Sequence, residues 1–204
     1  MTKGKIAACI GALAMVLACA ACGKADPNVD ALNQALRAAN EKKSGTLTLH
    51  YVEKGEAFLA ERIEYTIDKK NVQFTKEEYE MEGGVNRYKY EGGVLYSEME
   101  DAPGKYEVYD SKIQYQTLSD IAGMNLAELK GETGSVTTET VNGQSVFTVT
   151  VPQSALVLAG DDEKTPVVID ALTKQYTLDA SGVLTKVALQ FDGDTGMGLE
   201  ITLE

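Results

Sequence analysis

From residue 46 onward apolar and polar side chains alternate, with Leu47, Leu49 and Tyr51 set against Thr46, Thr48 and His50. A period of two places alternate side chains on opposite faces of a strand, so one face can be buried and the other wetted. The same reading predicts further strands over 57–67, 71–81, 85–91, 94–99 and 105–110. Short turn segments separate them: Glu53-Lys54-Gly55, Asp68-Lys69-Lys70, Gly83-Gly84, Gly92-Gly93 and Ala102-Pro103-Gly104. Short strands at regular spacing with glycine-rich turns make an antiparallel meander. A two-residue turn at Gly92-Gly93 pairs Tyr90 with Leu95 and Tyr88 with Ser97 on one face, and Arg87 with Glu98 on the other.

Before the alternation begins, Asp26-Pro27 can cap and open a helix. Val29, Leu32, Leu36 and Ala39 continue it as one apolar stripe, Lys42 and Lys43 occupy its last turn, and Ser44-Gly45 stops it. Beyond the meander, 117–130 reads as a helical interruption carrying Leu118, Ile121, Ala122, Leu126 and Leu129, weakened or broken at Gly123. Strands over 135–141 and 145–151 flank Asn142-Gly143, a strong hairpin signal. A short apolar helix is expected over 152–159, then strands over 175–178, 183–191 and 198–203. Neither a repeat nor a low-complexity linker interrupts the chain. The expectation is one α+β domain over 23–204, preceded by a separate segment, 1–22.

That first segment is Met-Thr-Lys-Gly-Lys, an apolar run from Ile6 to Leu17, and then Ala18-Cys19-Ala20-Ala21-Cys22-Gly23-Lys24. Two lysines, a short apolar core and small residues describe a secretory signal. A membrane span needs about 20 apolar residues, more than this run supplies. The small-residue-then-cysteine step resembles the signal sequences of bacterial lipoproteins. In that family the signal peptidase cuts before a cysteine whose sulfur carries a diacylglycerol. Cys19 has the preferred apolar residue, Val16, three places before it, whereas Cys22 starts Cys-Gly-Lys, a familiar mature N-terminus, and both remain open. The resemblance implies an extracytoplasmic protein lipid-anchored to the bacterial cell membrane through Cys22 or Cys19. Two acyl chains hold durably where one does not. Cys9 lies inside the signal core, so the mature domain has no disulfide and must rely on its core.

Removal of Lys3 and Lys5 with the signal takes the formal net charge from -12 to -14. So acidic a domain is a poor partner for nucleic acid, whose phosphates want a basic surface. Its charge also opposes adsorption to anionic lipid, so the anchor rather than the body holds the membrane. Catalytic chemistry leaves no trace. The chain has one histidine, His50, expected as a solvated side chain on a strand's polar face. Without a second histidine or a mature-domain cysteine, neither a zinc site nor a Cys-His pair can be assembled. Ser145 does not sit in a nucleophile elbow, and no phosphate-binding glycine loop occurs. Asp192-Gly193-Asp194-Thr195-Gly196 begins like a calcium loop, but Gly196 and Leu203 stand where ligands are needed, so a plain turn is expected. Asp161-Asp162-Glu163 and Glu77-Glu78-Tyr79-Glu80 read as exposed faces or turns. The expectation is therefore no enzyme, no metal and no cofactor. Nine of the ten tyrosines fall between Tyr51 and Tyr115. Tyrosine suits binding surfaces and is also a good strand former.

The element order, an N-terminal helix, a long meander, a helical insertion and a closing hairpin, resembles the LolA/LolB-type half-barrel and the LppX/LprG-type mycobacterial lipoproteins. Hairpin phrases such as Asn86-Arg87-Tyr88-Lys89-Tyr90-Glu91-Gly92-Gly93-Val94-Leu95-Tyr96 and Ser181-Gly182-Val183-Leu184-Thr185-Lys186 carry the likeness. The resemblance implies a curved antiparallel sheet, with the N-terminal helix and short helices covering its concave face. It also implies a hydrophobic cavity for an acyl chain or part of a partner. The expected ligand-binding residues are Tyr88, Tyr90, Leu95, Leu118, Ile121, Leu126, Leu156 and Leu158. The classical carrier of this type is soluble, whereas an anchored chain suits a receptor or sensor. Two functions follow: binding of an apolar ligand such as a lipid acyl chain, or contact with another envelope protein through a solid core without a cavity.

Overall fold

The computed structural model describes residues 26–69, 71–80, 83–129, 136–151, 156–158, 167–169, 171–192 and 197–204. The signal segment with Cys19 and Cys22, the acidic stretch 161–163 and the turn residues 193–196 lie outside the described residues. Among the described residues no helix is long and apolar enough to cross a membrane.

Helix α1 spans Pro27–Glu41, with Asp26 as its cap accepting from the Asn28 amide at 2.9 Å. Its buried stripe is Leu32, Ala35, Leu36 and Ala39, the helical spacing that a single core-facing side requires. The helix stops two residues earlier than expected. Lys42 is already extended, and Ser44-Gly45 opens the first strand instead of ending the helix. Gly45 is needed there for close approach: a Cβ would fall 2.5 Å from the Glu204 carbonyl oxygen. The glycine lets the last residue of the chain lie against the first strand.

The strands are β1 Ser44–Glu53, β2 Glu56–Asp68, β3 Asn71–Tyr79, β4 Val85–Glu91, β5 Val94–Met99 and β6 Ala102–Asp110. After the short helix α2, Leu118–Ala122, come β7 Val136–Val141, β8 Gln144–Val151, β9 Leu156–Leu158 and β10 Val167–Ile169. The chain closes with β11 Ala171–Leu178, β12 Leu184–Asp192 and β13 Met197–Leu203. Eleven strands form one open antiparallel sheet in the order β6-β5-β4-β3-β2-β1-β13-β12-β11-β8-β7, and β9 and β10 pair separately. This is a large open sheet with few helices. The expected meander is β1 to β6, and the closing hairpin β12–β13 brings the C-terminal half onto the free side of β1.

Register follows turn chemistry. Gly92 and Gly93 have φ of 62° and 83°, and Asn142 and Gly143 have 52° and 80°, the positive values that a two-residue hairpin turn demands. Tyr90 accordingly faces Leu95, Tyr88 faces Ser97, and Arg87 reaches Glu98 at 3.4 Å. The Asn142-Gly143 turn sets Thr138 opposite Phe147 and Val136 opposite Val149.

Ala102-Pro103-Gly104, expected as a separator, lies within β6, which pairs from Ala102 opposite Met99 and so begins three residues earlier than expected. Three further expectations differ. The helix expected over 117–130 is one turn long. Thr117 and Asp120 form a reciprocal cap at its start, and Gly123, at φ 60°, ends it. Of the helix expected over 152–159, residues 152–155 and 159 lie outside the described residues, and Leu156, Val157 and Leu158 form β9 instead, paired with Ile169, Val168 and Val167. The partner strand, Val167-Val168-Ile169, is β-branched throughout and satisfies the backbone of these three residues. His50, expected to be solvated, is half-buried at a bulge between Leu49 and His50, flanked by Leu59 and Glu200. Its Nδ1 is buried without a hydrogen-bond partner among the described residues.

Candidate ligand cavity

Residues directly opposite in an antiparallel ladder share a face. The ladders therefore trace rows across the core face of the sheet. One row runs Tyr176, Val187, Ile201, Leu49, Glu61 and Glu78. Another runs Leu203, Leu47, Ile63, Lys76 and Tyr88. The aromatic row Tyr65, Phe74, Tyr90 and Leu95 lies beside it. Phe74 stacks on Tyr90 with centroids 5.4 Å apart, and Tyr115 meets both rings edge-on at 4.9 Å.

The segment after β6 passes over this face. Leu118 and Leu126 are 1% and 0% exposed and belong to the packed core with Leu32 and Leu36 of α1. The stretch following α2 has little regular structure, and side chains from α1 hold it. Asn33 donates to the Leu129 carbonyl at 3.0 Å and accepts from the Leu129 amide at 2.6 Å. Asn40 donates to the Leu126 carbonyl at 2.9 Å. Ser119 Oγ accepts from the Leu126 amide at 3.0 Å.

Between this strap and the sheet lies a cavity of about 540 Å³. Its sheet wall is Leu49, Ile63, Phe74, Leu189 and Leu199, and its strap wall is Ile121, Ala122, Gly123, Met124 and Asn125. Charged groups lie at its margins. Lys76 sits 3.1 Å from both Glu61 and Glu78; burial opposes its charge, but the two carboxylates carry its pKa above the ordinary lysine value. Asp120 also suffers a burial penalty. The Gln116 amide and the Thr117 hydroxyl and amide outweigh it and hold the carboxyl below its usual range. Lys174, on β11, is half-buried; burial alone pushes its ammonium down to about 8. Beyond the cavity, a groove of about 700 Å³ opens between the tip of the β1–β2 hairpin and the start of β13. Tyr51 lines both spaces.

Of the residues expected at a ligand site, Ile121 lines the cavity. Leu118, Leu126, Tyr90 and Leu95 are buried in the core, and Tyr88 packs edge-on against Tyr109 at 5.6 Å and under Lys76 Nζ at 5.0 Å. Leu156 and Leu158 are described in backbone only, within β9. Several lining residues lay outside the sequence reading, above all Met124, Leu189, Leu199 and Lys174. Lys174 alternates with Tyr176 and Leu178, which would have placed it inward had β11 been started at Ala171. The stretch Glu77-Glu78-Tyr79-Glu80 lies largely in β3 within a web of partners. Glu77 accepts from Tyr79 at 2.8 Å and Arg87 at 3.1 Å, which lowers its pKa, and Glu80 accepts from Asn86 at 2.9 Å. Among the described residues no group of acidic, histidine or cysteine side chains could hold a metal ion.

No protein-family model and no curated protein matches this chain. Solved structures do. The lipoprotein LppX of Mycobacterium tuberculosis superposes with a TM-score of 0.53 at 13% identity, over 88% of this chain and 95% of that one. LprF from Mycobacterium bovis gives 0.53 at 12% identity, over 88% and 92%. At such identities the likeness is one of fold: the chain has the open-sheet architecture of these lipoproteins. A LolA superfamily protein from Nitrosomonas europaea aligns over 86% of this chain and 90% of that one at 10% identity, with a TM-score of 0.34.

Proposed function

We propose that this chain is an extracytoplasmic lipoprotein, anchored through Cys22 or Cys19, that binds an apolar ligand such as a lipid acyl chain without catalysing a reaction. Residues 1–22 are its signal and attachment segment and 23–204 its one domain. The observation that carries the reading is the cavity under the strap. It is a cleft partly open to solvent, lying between the strap and the packed sheet face, so a ligand can enter it without disturbing the core. Binding pockets are concave and mostly apolar, with a few placed polar groups, and fall in the range of about 300–1,000 Å³. The cavity, at about 540 Å³ with Leu49, Ile63, Phe74, Ile121 and Leu199 in its walls, has that character. The strap and α1 act as the cover on the core face, and the likeness to LppX and LprF agrees with a lipoprotein of this architecture.

Native mass spectrometry of residues 24–204, with organic extraction and lipid analysis of the same sample, tests the reading. An acyl-chain species at near-stoichiometric amount is expected. A clean apo mass, unchanged after incubation with membrane lipid extract, would overturn it in favour of a domain that contacts another envelope protein through its surface.

A further inference from the structure

A third row crosses the core face: Lys174 opposes Leu189, Leu189 opposes Leu199, Leu199 opposes Tyr51, and Tyr51 opposes Phe58. In one direction from Lys174 lie Val149 and Val136, buried in the core; in the other, the stretch from this cation to Phe58 is apolar. Four inter-strand steps of about 4.8 Å make it about 19 Å long, the reach of one extended long-chain acyl group. The row joins the two spaces, because Lys174, Leu189 and Leu199 line the cavity and Phe58 lines the groove, with Tyr51 common to both. Its outer end is open: Tyr51 is 56% exposed, and Met197, on the same face, is 55% exposed.

The cation at the inner end differs from its neighbours. Lys76 is paired with Glu61 and Glu78, and Lys186 with Glu200 at 2.9 Å. Lys174 meets only neutral groups among the described residues: the Asn125 carbonyl at 2.5 Å and the Tyr176 ring, 5.1 Å to its centroid. One carbonyl occupies one of three ammonium donors. The carboxylates nearest the cavity are engaged, Glu61 by Lys76 and Asp120 by the cap of α2. A half-buried cation with no carboxylate partner among the described residues is costly, and an incoming anion offsets that cost with a charge-assisted hydrogen bond.

We propose that the occupant is a single-chain amphiphile with an anionic headgroup, its carboxylate or phosphate received by Lys174 and its acyl chain laid along Leu189, Leu199, Tyr51 and Phe58. This rests on the acyl-binding reading of the cavity and adds a headgroup class and a direction to it. Lys174 is the specificity-determining residue, and it distinguishes an ionised amphiphile from a neutral one of equal chain length. Were the lysine merely reaching the rim to keep its head in water, it would make no such distinction.

The test uses the full-length protein in phosphatidylcholine nanodiscs at neutral pH, photolabelled with three diazirine probes of one chain length: palmitic acid, palmityl phosphate and cetyl alcohol. Labelled peptides are located by mass spectrometry. At least one anionic probe is expected to label the peptides bearing Leu189, Leu199 and Tyr51 more than the alcohol does, by at least about tenfold, the worth of one charge-assisted hydrogen bond. Which anion labels more strongly tells a fatty acid from a phosphate-bearing lipid. Lys174→Met should bring the anionic probes down to the alcohol's level, and Lys174→Arg should keep the preference. Equal labelling by anions and alcohol in the wild type overturns the headgroup assignment and leaves acyl binding standing. A preference that survives in Lys174→Met overturns it as well. If no probe labels these peptides, acyl binding itself fails. Should Lys174→Met not fold, the wild-type comparison of anion with alcohol decides alone.

Discussion

A lysine on the core face loses part of its hydration before it gains a partner, and for Lys174 burial moves the ammonium from 10.5 down to about 8. The unfolded chain therefore holds a proton on this side chain, between those two values, that the folded chain has released. Folded stability rises with pH through that window, and the whole penalty is present below it. Lys174→Met keeps the stem and removes the charge. It should raise the melting temperature of the ligand-free protein at neutral pH by about 2–4 °C, the shift that about 1 kcal/mol makes in a domain of this size. Its advantage over the wild type should shrink as pH is raised toward 10; thermal melts across that range check both points. Neither this residue nor His50 was legible in the sequence. A polar residue in an alternating strand reads as outward-facing and solvated, but Lys174 lies in phase with Tyr176, and His50, on the outer face opposite Glu200, is half-buried there.

At the scale of elements, strands bounded by turn residues could be read almost to their ends, β6 excepted because its Ala102-Pro103-Gly104 reads as a turn, whereas apolar stretches without punctuation could not. β4 and β5 fall where alternation and Gly92-Gly93 place them, down to the Tyr90–Leu95 pair. The stretch 117–130 misleads because its apolar spacing is helical while its polar residues compete for the backbone. Asn125 Oδ1 accepts from the Ala127 amide at 2.8 Å, a local turn that a helix cannot accommodate. Asn33 and Asn40, seven apart on α1, then supply the hydrogen bonds that a helix would have made for itself. Asn33→Ala should cost about 1–3 kcal/mol, because it strips both backbone groups of Leu129. Hydrogen exchange should show faster amides over 124–129 with those of β1 to β3 unchanged; unchanged exchange in the strap would show that Asn33 does not hold it.

For the whole molecule, the open antiparallel sheet was legible and the location of its cavity was not. Core and cavity walls are built from the same apolar residue types, and only depth distinguishes Leu118 and Leu126 within the packing from Ile121 at the cavity wall. The proposed anchor belongs to this scale too. Replacing Cys19 and Cys22 together with Ala should move the protein from the membrane fraction to the soluble fraction, and its persistence in the membrane fraction would rule out lipidation at either cysteine. The sheet order has a consequence in time. β1 finds β13 only after nearly the whole chain is present, and α1 packs against β7 and β12, also from the later half. Because long-range pairing is slow and leaves sticky surfaces waiting, a chain made or threaded N-terminus first presents a finished meander with its oily stripe and one strand edge bare. Such a chain has to be shielded by a chaperone, or delivered faster than it can associate with its neighbours, until its final strand arrives.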